Sequence, residues 1–344
     1  MRVIEAIDAL ARRCDLSAEA AAAAMGEIMD GQATQAQIGA LLAALAAKGE
    51  RSAEIVGLAT AMRERATPLP KRWDPALDLC GTGGDRAGTF NISTVASLVV
   101  AACGARVVKH GNRAASSACG SADLLEQLGV RLAQTPAQVC RSVDEAGIGF
   151  LFAPAFHPSM RHAAPVRREL GIRTVFNLLG PLTNPAAPTH QLVGVSRPEL
   201  TDLVAHALRR LGSRRAWVVH GADGLDELSA SGYSKVSEWR GDAVRTFYVH
   251  PSDFGLPPCD RGALAGGDAR RNAEIACRVL EGQRGPARDV VVLNAAAALL
   301  LLNLARSHRE AAGQASDAID RGAARETLDR LVALSRAETP EEAT

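Results

Sequence analysis

A chain of 344 residues is long enough for one large domain and a smaller one beside it. Its 39 Lys and Arg against 38 Asp and Glu give a net charge of +1, which excludes a broad electrostatic attraction to nucleic acid or an anionic membrane as the main mode of binding. Seven scattered cysteines without a Cys-x-x-Cys pair argue against a disulfide framework or zinc site, and are typical of reduced cytoplasmic thiols.

Residues 3–66 predict three or four short helices. Ser17 is placed to cap the second of them, and Thr34 with Gln37 forms a capping box before the next. The first segment, "MRVIEAIDALARRC", carries acidic residues among its apolar positions, so it does not match a secretory signal. These patterns indicate that the chain starts with a small all-helical unit.

Prolines at 68, 70 and 75 mark a connection, and we place a domain boundary at about 67–74. The short tail is acidic and lacks large apolar groups. The predicted units are a helical N-terminal domain over 1–70, joined by helices around 160–185, an α/β domain over 74–336, and a flexible tail over 337–344.

Beyond the boundary, short apolar strands alternate with helices, a pattern typical of a mostly parallel sheet. The fold class predicted is therefore α/β, with a small helical domain beside it. A helical pattern resumes at 268 after a β-rich stretch. The predicted elements before it are strands at 76–80, 105–111, 190–195 and 215–221, with helices at 94–104, 122–129 and 198–212.

The longest apolar run, residues 290–305, is shorter than the ~18–20 residues needed to span a bilayer. It also carries Asn294 and Asn303. A buried helix is the better interpretation, and no membrane partner is expected.

A glycine-rich loop, "GTGGDRAG", follows the first predicted strand. It matches neither a P-loop nor a G-x-G-x-x-G fingerprint, so ATP or NAD is a poor interpretation. The N–H groups of Gly81, Gly83 and Gly84 could cradle a pyrophosphate, while Asp85 could orient a hydroxyl or a water around a metal. A tight turn without a ligand is the alternative.

Two further polar segments follow neighbouring strands. "NIST" (91–94) opens a helix, where hydroxyls and free N–H groups favour an anion, although a simple N-cap explains the same residues. The loop after the second strand, "KHGNRAASSACGS", supplies phosphate-binding side chains. Together the segments predict a substrate with two separate phosphate groups. The candidates in the second loop are Lys109, Arg113, Ser116, Ser117 and Ser121.

An acidic turn, "DGLDELS", places Asp226 beside Glu227 after a later strand. Carboxylate oxygens that converge in a turn suit Mg²⁺ bound jointly with substrate phosphates. A solvated acidic loop is the alternative, but the two phosphate-binding loops favour a metal site.

These segments, together with "GSADLLE" and "RRELGIRTVFNLLGPLTNP", occur in one order over about residues 78–232 and resemble the anthranilate phosphoribosyltransferase family. The resemblance implies a fold of the nucleoside phosphorylase and phosphoribosyltransferase type, and a homodimer. It also implies transfer of phosphoribose from 5-phospho-α-D-ribose 1-diphosphate to the amine of anthranilate. The products would be N-(5-phosphoribosyl)anthranilate and pyrophosphate, in the second step of tryptophan biosynthesis.

The resemblance also implies roles for individual residues. The donor would be bound by Gly81, Gly84, Asp85, Thr89, Asn91, Ile92, Ser93, Thr94, Lys109, Arg113, Ser117 and Ser121. The anthranilate path would be lined by Gly81, His110, Asn112, His157 and Arg167, and Arg167 would bind the carboxylate of anthranilate. Magnesium, two ions per monomer, would be held by Ser93, Asp226 and Glu227.

No nucleophile and base pair stands out, which fits a reaction driven by positioning and by neutralising the leaving pyrophosphate, with Lys109 as one source of positive charge. Two alternatives remain open at this point. One is a pyrimidine nucleoside phosphorylase, which shares this kind of glycine loop. The other is a non-enzymatic nucleic-acid-binding relative, which would be expected to have a basic surface and to lack the metal ligands.

Overall fold

The computed structural model describes residues 2–114 and 118–337. Four helices come first, and the predicted caps are present: the Ser17 hydroxyl accepts the Ala20 N–H, and Thr34 and Gln37 cap each other reciprocally. These helices are α1 (Val3–Ala11), α2 (Ala18–Met29), α3 (Gln35–Lys48) and α4 (Ser52–Glu64).

A seven-stranded sheet follows, with the order β3-β2-β1-β4-β5-β6-β7 in the described part of the chain. The first five strands in that order pair in parallel, whereas the sixth runs antiparallel to the fifth and the seventh antiparallel to the sixth. Consecutive chain segments therefore end at one edge, where open α/β sheets bind ligands. The strands are β1 (Leu77–Gly81), β2 (Val107–Gly111), β3 (Ile148–Phe152), β4 (His190–Gly194), β5 (Arg215–Gly221), β6 (Ser234–Arg240) and β7 (Ala243–Val249).

Helices cover both faces of this sheet, which confirms the predicted fold class. Short 3₁₀ turns at Pro158–His162 and Gly180–Leu182 interrupt the connection between β3 and β4. The remaining helices are α5 (Ile92–Ala102), α6 (Ser121–Gln127), α7 (Pro136–Ala146), α8 (Ala153–Phe156), α9 (Ala164–Leu170), α10 (Phe176–Leu179), α11 (Leu200–Arg210), α12 (Ala269–Leu280), α13 (Pro286–Leu301), α14 (His308–Asp320) and α15 (Ala323–Arg336).

Most of the longest apolar run of the sequence lies in α13, where the residues from Val290 to Leu299 are buried. It packs against α5 and α14 as the central helix of the larger core. In the described ranges, no helix is long and apolar enough to cross a membrane. The prediction of a buried helix is therefore confirmed.

The N-terminal helices share their core with the α/β part of the chain. α9 packs on α3, and α10 packs on α4, while Val193 of β4 belongs to the same apolar cluster. Arg63 of α4 adds a polar connection, because its Nε donates to the Leu182 carbonyl at 2.6 Å and its Nη1 to the Leu211 carbonyl at 2.9 Å. Residues 160–185 thus pack against the first helices.

Candidate active site

The carboxyl end of β1 leads directly into the glycine loop. Gly83 and Gly84 have φ of +70° and +78°, which other residues adopt only with strain. The Gly83 N–H donates to Oδ2 of Asp226 at 2.6 Å, across 143 residues of sequence. The structure therefore brings the glycine loop and the acidic turn, two separately predicted features, into direct contact.

Two glycines in register on neighbouring strands make room for this contact. Gly81 of β1 pairs with Gly194 of β4. A Cβ added at Gly81 would lie 2.2 Å from Oδ2 of Asp226, and one added at Gly194 would lie 1.6 Å from the Asp226 backbone oxygen. A side chain at Gly81 would displace the Asp226 carboxylate, and one at Gly194 would displace the backbone of the acidic turn.

The carboxylates at this point crowd one another. The Asp226 N–H faces Oδ2 of Asp85 at 3.5 Å, and Oε1 of Glu227 accepts the Ser93 N–H at 3.2 Å. Loss of hydration, reinforced by the Asp85 and Glu227 charges, raises the pKa of Asp226 well above its usual value. Burial raises the pKa of Glu227 to about 7, although Lys109 and Ser93 oppose the shift. Burial and the neighbouring charges therefore disfavour the ionised form of Asp226, and burial that of Glu227, a cost that a bound cation would relieve.

The proposed metal ligands lie together, with Ser93 bonded to Glu227 and Asp226 next along the chain. In residues 2–114 and 118–337, no group of three or more His, Cys, Asp or Glu side chains is arranged to hold a metal ion. Two carboxylates and one hydroxyl are an incomplete shell for Mg²⁺, which commonly takes its remaining oxygens from water and substrate phosphates. The donor set is compatible with a metal that is bound together with a substrate.

Lys109 lies beneath the loops, almost fully buried, and its Nζ donates to the Leu79 carbonyl. Its charge opposes the raised pKa of both Glu227 and Asp78. In this arrangement Lys109 balances the buried carboxylates from below.

The helix α5 begins at the predicted "NIST" segment. Asn91 precedes its first residue. Its side chain links the second loop to α12, because it donates to the Cys119 carbonyl and accepts from Asn272, each at 3.0 Å. Ile92 and Thr94 are buried, whereas Thr89 forms an isolated bridge with Ala265. Ile92 and Thr94 therefore anchor the helix start, and Ser93 is the residue of this group that meets the acidic turn.

In the second loop, Arg113 is engaged within the protein. Its guanidinium pairs with Asp123 at 3.0 Å and with Glu126 at 2.7 Å. Asn112 accepts the Arg113 N–H at 2.7 Å, and the Ser121 hydroxyl faces the Asn112 carbonyl at 3.4 Å. Arg113 would have to exchange these carboxylates for a phosphate to bind the donor. Ser116 and Ser117 lie outside the described residues.

Two buried histidines lie side by side, with His110 and His157 ring centroids 5.2 Å apart. Nδ1 of His110 is 3.1 Å from the Gly180 carbonyl, whereas Nε2 of each ring is buried without a partner in the described protein. Burial lowers the pKa of His110 to about 3 and that of His157 to about 4. Both rings are therefore neutral at pH 7, with one free nitrogen each.

Arg167 of α9 is half-buried, and its guanidinium carbon lies 4.7 Å from the centre of the Phe176 ring. Burial lowers its pKa. Among the carboxylates that the structure describes, none pairs with it within 4 Å. An unpaired guanidinium that is stacked on an aromatic ring is suited to a planar carboxylate.

Several residues at the site are missing from the sequence predictions. Asp78 is fully buried, and burial raises its pKa to about 6 while Asn184 donates to it at 2.8 Å. Gly194 and Arg173 both contact parts of the chain that are distant in sequence. For Arg173 and Asn184 the sequence indication was the "GIRTVFNLLGPLTNP" motif, which contains both residues.

Comparison with known proteins agrees with the geometry. The model of the glycosyl transferase family a/b domain matches residues 73–325, and that of the family's helical bundle domain matches residues 4–66. An anthranilate phosphoribosyltransferase of Moorella thermoacetica is 55% identical over 318 residues, covering 92% of this chain and 94% of its own. The chain belongs to the anthranilate phosphoribosyltransferase family. The family predicted from the motifs is thus confirmed.

Other members of the anthranilate phosphoribosyltransferase family extend the match. A relative of that name from Herpetosiphon aurantiacus is 51% identical over 337 residues, or 97% of this chain and 99% of its own. The crystal structure of the Thermus thermophilus enzyme is 46% identical with a TM-score of 0.91, covering 96% of this chain and 99% of that one. The Saccharomyces cerevisiae enzyme in complex with PRPP and Mg is 28% identical with a TM-score of 0.89, covering 97% of each chain.

Proposed function

We propose that the chain transfers the phosphoribosyl group of 5-phospho-α-D-ribose 1-diphosphate to the amine of anthranilate. The products are N-(5-phosphoribosyl)anthranilate and pyrophosphate, in the second step of tryptophan biosynthesis. The observation that carries the proposal is the bond between the Gly83 N–H and Asp226, because it joins an anion-binding loop to a metal-binding turn. Family membership supports the same reaction.

The donor is bound at the carboxyl edge of the sheet. The amides around Gly81 and Gly84 and the N-terminus of α5 favour the pyrophosphate, because free N–H groups and the helix dipole both attract anions. The remaining donor contacts are those implied by the resemblance. Positive charge at this edge weakens the bond between the ribose C1 and the leaving pyrophosphate.

Magnesium is held by Ser93, Asp226 and Glu227, with two ions per monomer. The support is that these carboxylates are crowded together in a buried site. Burial, reinforced by the Asp85 and Glu227 charges, raises the pKa of Asp226, and burial raises that of Glu227 to about 7; a divalent cation would relieve this cost. When bound, the cation neutralises the charge of the pyrophosphate. The S. cerevisiae relative has been solved with PRPP and Mg, and another structure of that enzyme has Mg bound.

Anthranilate is bound on the side of the cleft that carries Arg167 and the two histidines. Arg167 has no carboxylate partner in the described protein, so it is free to hold the carboxylate of anthranilate. The free Nε2 atoms of His110 and His157 offer hydrogen bonds without charge. Because the aromatic amine is already neutral at pH 7, no strong base is required, and positioning carries much of the rate.

We further propose that the enzyme acts as a homodimer, as the resemblance implies, and that it is located in the cytoplasm. The cysteines form no disulfide within the described residues, which supports a reducing compartment.

The test is a coupled measurement of anthranilate fluorescence and pyrophosphate release in the presence of donor and Mg²⁺. Fluorescence is expected to fall as pyrophosphate appears, and both signals should stop when EDTA removes the metal. Thymidine with inorganic phosphate serves as the comparison substrate pair. Turnover of thymidine without turnover of anthranilate would replace the proposal with the phosphorylase alternative.

A further inference from the structure

Arg173 lies in the short connection between α9 and α10, and it reaches across the cleft to the glycine loop. Its Nη1 donates to the Gly83 carbonyl at 3.0 Å, across 90 residues of sequence. A Cβ added at Gly84 would lie 1.5 Å from the same nitrogen. The missing side chain at Gly84 therefore leaves the space that the guanidinium occupies.

The two contacts of Gly83 have opposite directions. Its N–H donates to Asp226, and its carbonyl accepts from Arg173. Since Gly83 and Gly84 both have positive φ, a conformation in which glycine has wide freedom, the orientation of these peptides depends on contacts from outside the loop. Arg173 and Asp226 supply those contacts.

The guanidinium of Arg173 has no ion-pair partner among the described carboxylates. No described Asp or Glu forms an ion pair with it within 4 Å, and burial lowers its pKa although Asp226 and Asp85 oppose that shift. A guanidinium carries five N–H donors, and the hydrogen bond to the Gly83 carbonyl uses one of its nitrogens. The residue thus combines a fixed position on the loop with spare capacity for hydrogen bonds.

The segment that carries Arg173 also carries Arg167. Arg167 stacks on Phe176, and α9 and α10 are packed on α3 and α4. The connection between the two arginines is therefore anchored at both ends in the first group of helices. A shift of this segment at Arg167 would therefore also move Arg173 and the glycine loop that it contacts.

We propose that Arg173 is a positioning residue. Through the Gly83 carbonyl it holds the peptide that links Gly83 to Gly84 in its anion-binding orientation, and it does so from the same segment that carries Arg167, the arginine proposed to bind anthranilate. The donor and acceptor sites are thereby coupled. This inference rests on the proposed function and adds a specific residue and a linkage to it.

The test compares Arg173→Met with Arg173→Lys, because the two side chains have similar length and only lysine can donate to the Gly83 carbonyl. Arg168→Ala, an exposed arginine on the same segment, is the control. Binding of inorganic pyrophosphate in Mg²⁺ is measured by calorimetry, and anthranilate binding is measured by fluorescence with and without pyrophosphate. Thermal melting checks that each variant is folded.

Arg173→Met is expected to weaken pyrophosphate binding and raise the donor KM at least tenfold, with anthranilate affinity in the absence of pyrophosphate within twofold of wild type. It should also abolish the effect of pyrophosphate on anthranilate affinity, since coupling between two sites is reciprocal. Arg173→Lys should recover most of the loss, and Arg168→Ala should match the wild type.

Pyrophosphate affinity within twofold of wild type in Arg173→Met would overturn the inference. So would a lysine variant as weak as the methionine variant, because the bond to Gly83 would then not be the cause. A wild-type enzyme that binds neither pyrophosphate nor the donor would instead contradict the proposed function itself. If Arg173→Met does not fold, the lysine variant decides. Retention of the effect of pyrophosphate on anthranilate affinity would support the inference, and loss of that effect would overturn it.

Discussion

Substituting Gly194 by alanine should disable the enzyme without touching any substrate. Gly194 is buried in β4, and its φ is not in the left-handed region, so alanine adds no backbone strain of its own. Its new Cβ would lie 1.6 Å from the Asp226 backbone oxygen, whereas ordinary contacts begin at 3.4 Å. The neighbour is backbone, so the acidic turn must move by more than an ångström.

The size of the effect follows from that displacement. Overpacking of this kind costs about 1–3 kcal/mol of folding stability, which a domain of ordinary stability survives. A misplacement of about 1 Å in a positioning group can cost roughly 100-fold in rate. We therefore expect kcat/KM for the donor to fall by about 100-fold or more, with a higher Mg²⁺ requirement, because Asp226 would leave its place against the glycine loop.

The assay is the initial rate of anthranilate fluorescence loss, with donor and Mg²⁺ varied separately and circular dichroism recorded in parallel. Gly232→Ala is the matched control, since Gly232 lies in the loop after the acidic turn and its added Cβ meets nothing within 4 Å. If folded Gly194→Ala kept wild-type kinetics and metal dependence, the argument that this glycine places Asp226 for catalysis would be refuted.

Three further outcomes are expected. Arg167→Ala should raise the anthranilate KM at least tenfold, from loss of a charge-assisted contact worth roughly 1.5–3 kcal/mol, and an equal rise in the donor KM would remove it from the acceptor site. Asp226→Asn with Glu227→Gln should abolish donor use at ordinary Mg²⁺ with unchanged circular dichroism, and near-normal turnover would indicate a solvated acidic loop. Because the pKa values of His110 and His157 are lowered to about 3 and 4, the unfolded chain binds more protons, so their contribution to stability falls as pH drops from about 6.5 towards 4. His157→Asn should reduce that pH-dependent loss by ~3 kcal/mol in denaturant titrations, and an unchanged slope would contradict a buried neutral ring.

Much of the fold could be predicted because local signals and apolar periodicity agree. The caps at Ser17 and Thr34 are present, and the predicted strand at 215–221 is β5. By contrast, β3 (Ile148–Phe152) is not among the predicted elements. A continuous apolar run of five residues does not alternate, so periodicity alone cannot distinguish it from part of a buried helix.

The site divides in a similar way. Glycine spacing and paired carboxylates indicate the chemistry of the loop and of the acidic turn, and the structure brings Gly83 and Asp226 together. The sequence does not show that Arg113 pairs with Glu126 or that Lys109 is buried, since both depend on the path of neighbouring chain segments. Gly194 was missed for the same reason. Its role is to leave space for Asp226, 32 positions later, and the sequence alone does not show which residues lie next to a glycine in the fold.

The two hydrogen bonds of Arg63 affect how the protein unfolds. Burial lowers the pKa of this arginine to about 10, and its guanidinium holds the Leu182 carbonyl and the Leu211 carbonyl at the end of α11. Separating α4 from these carbonyls would leave a half-buried charge without its partners. Since the first helices also share an apolar cluster with β4, they cannot melt ahead of the sheet at low cost. The helical bundle and the neighbouring half of the sheet thus form one cooperative unit, and a calorimetric scan should show them unfolding in a single transition.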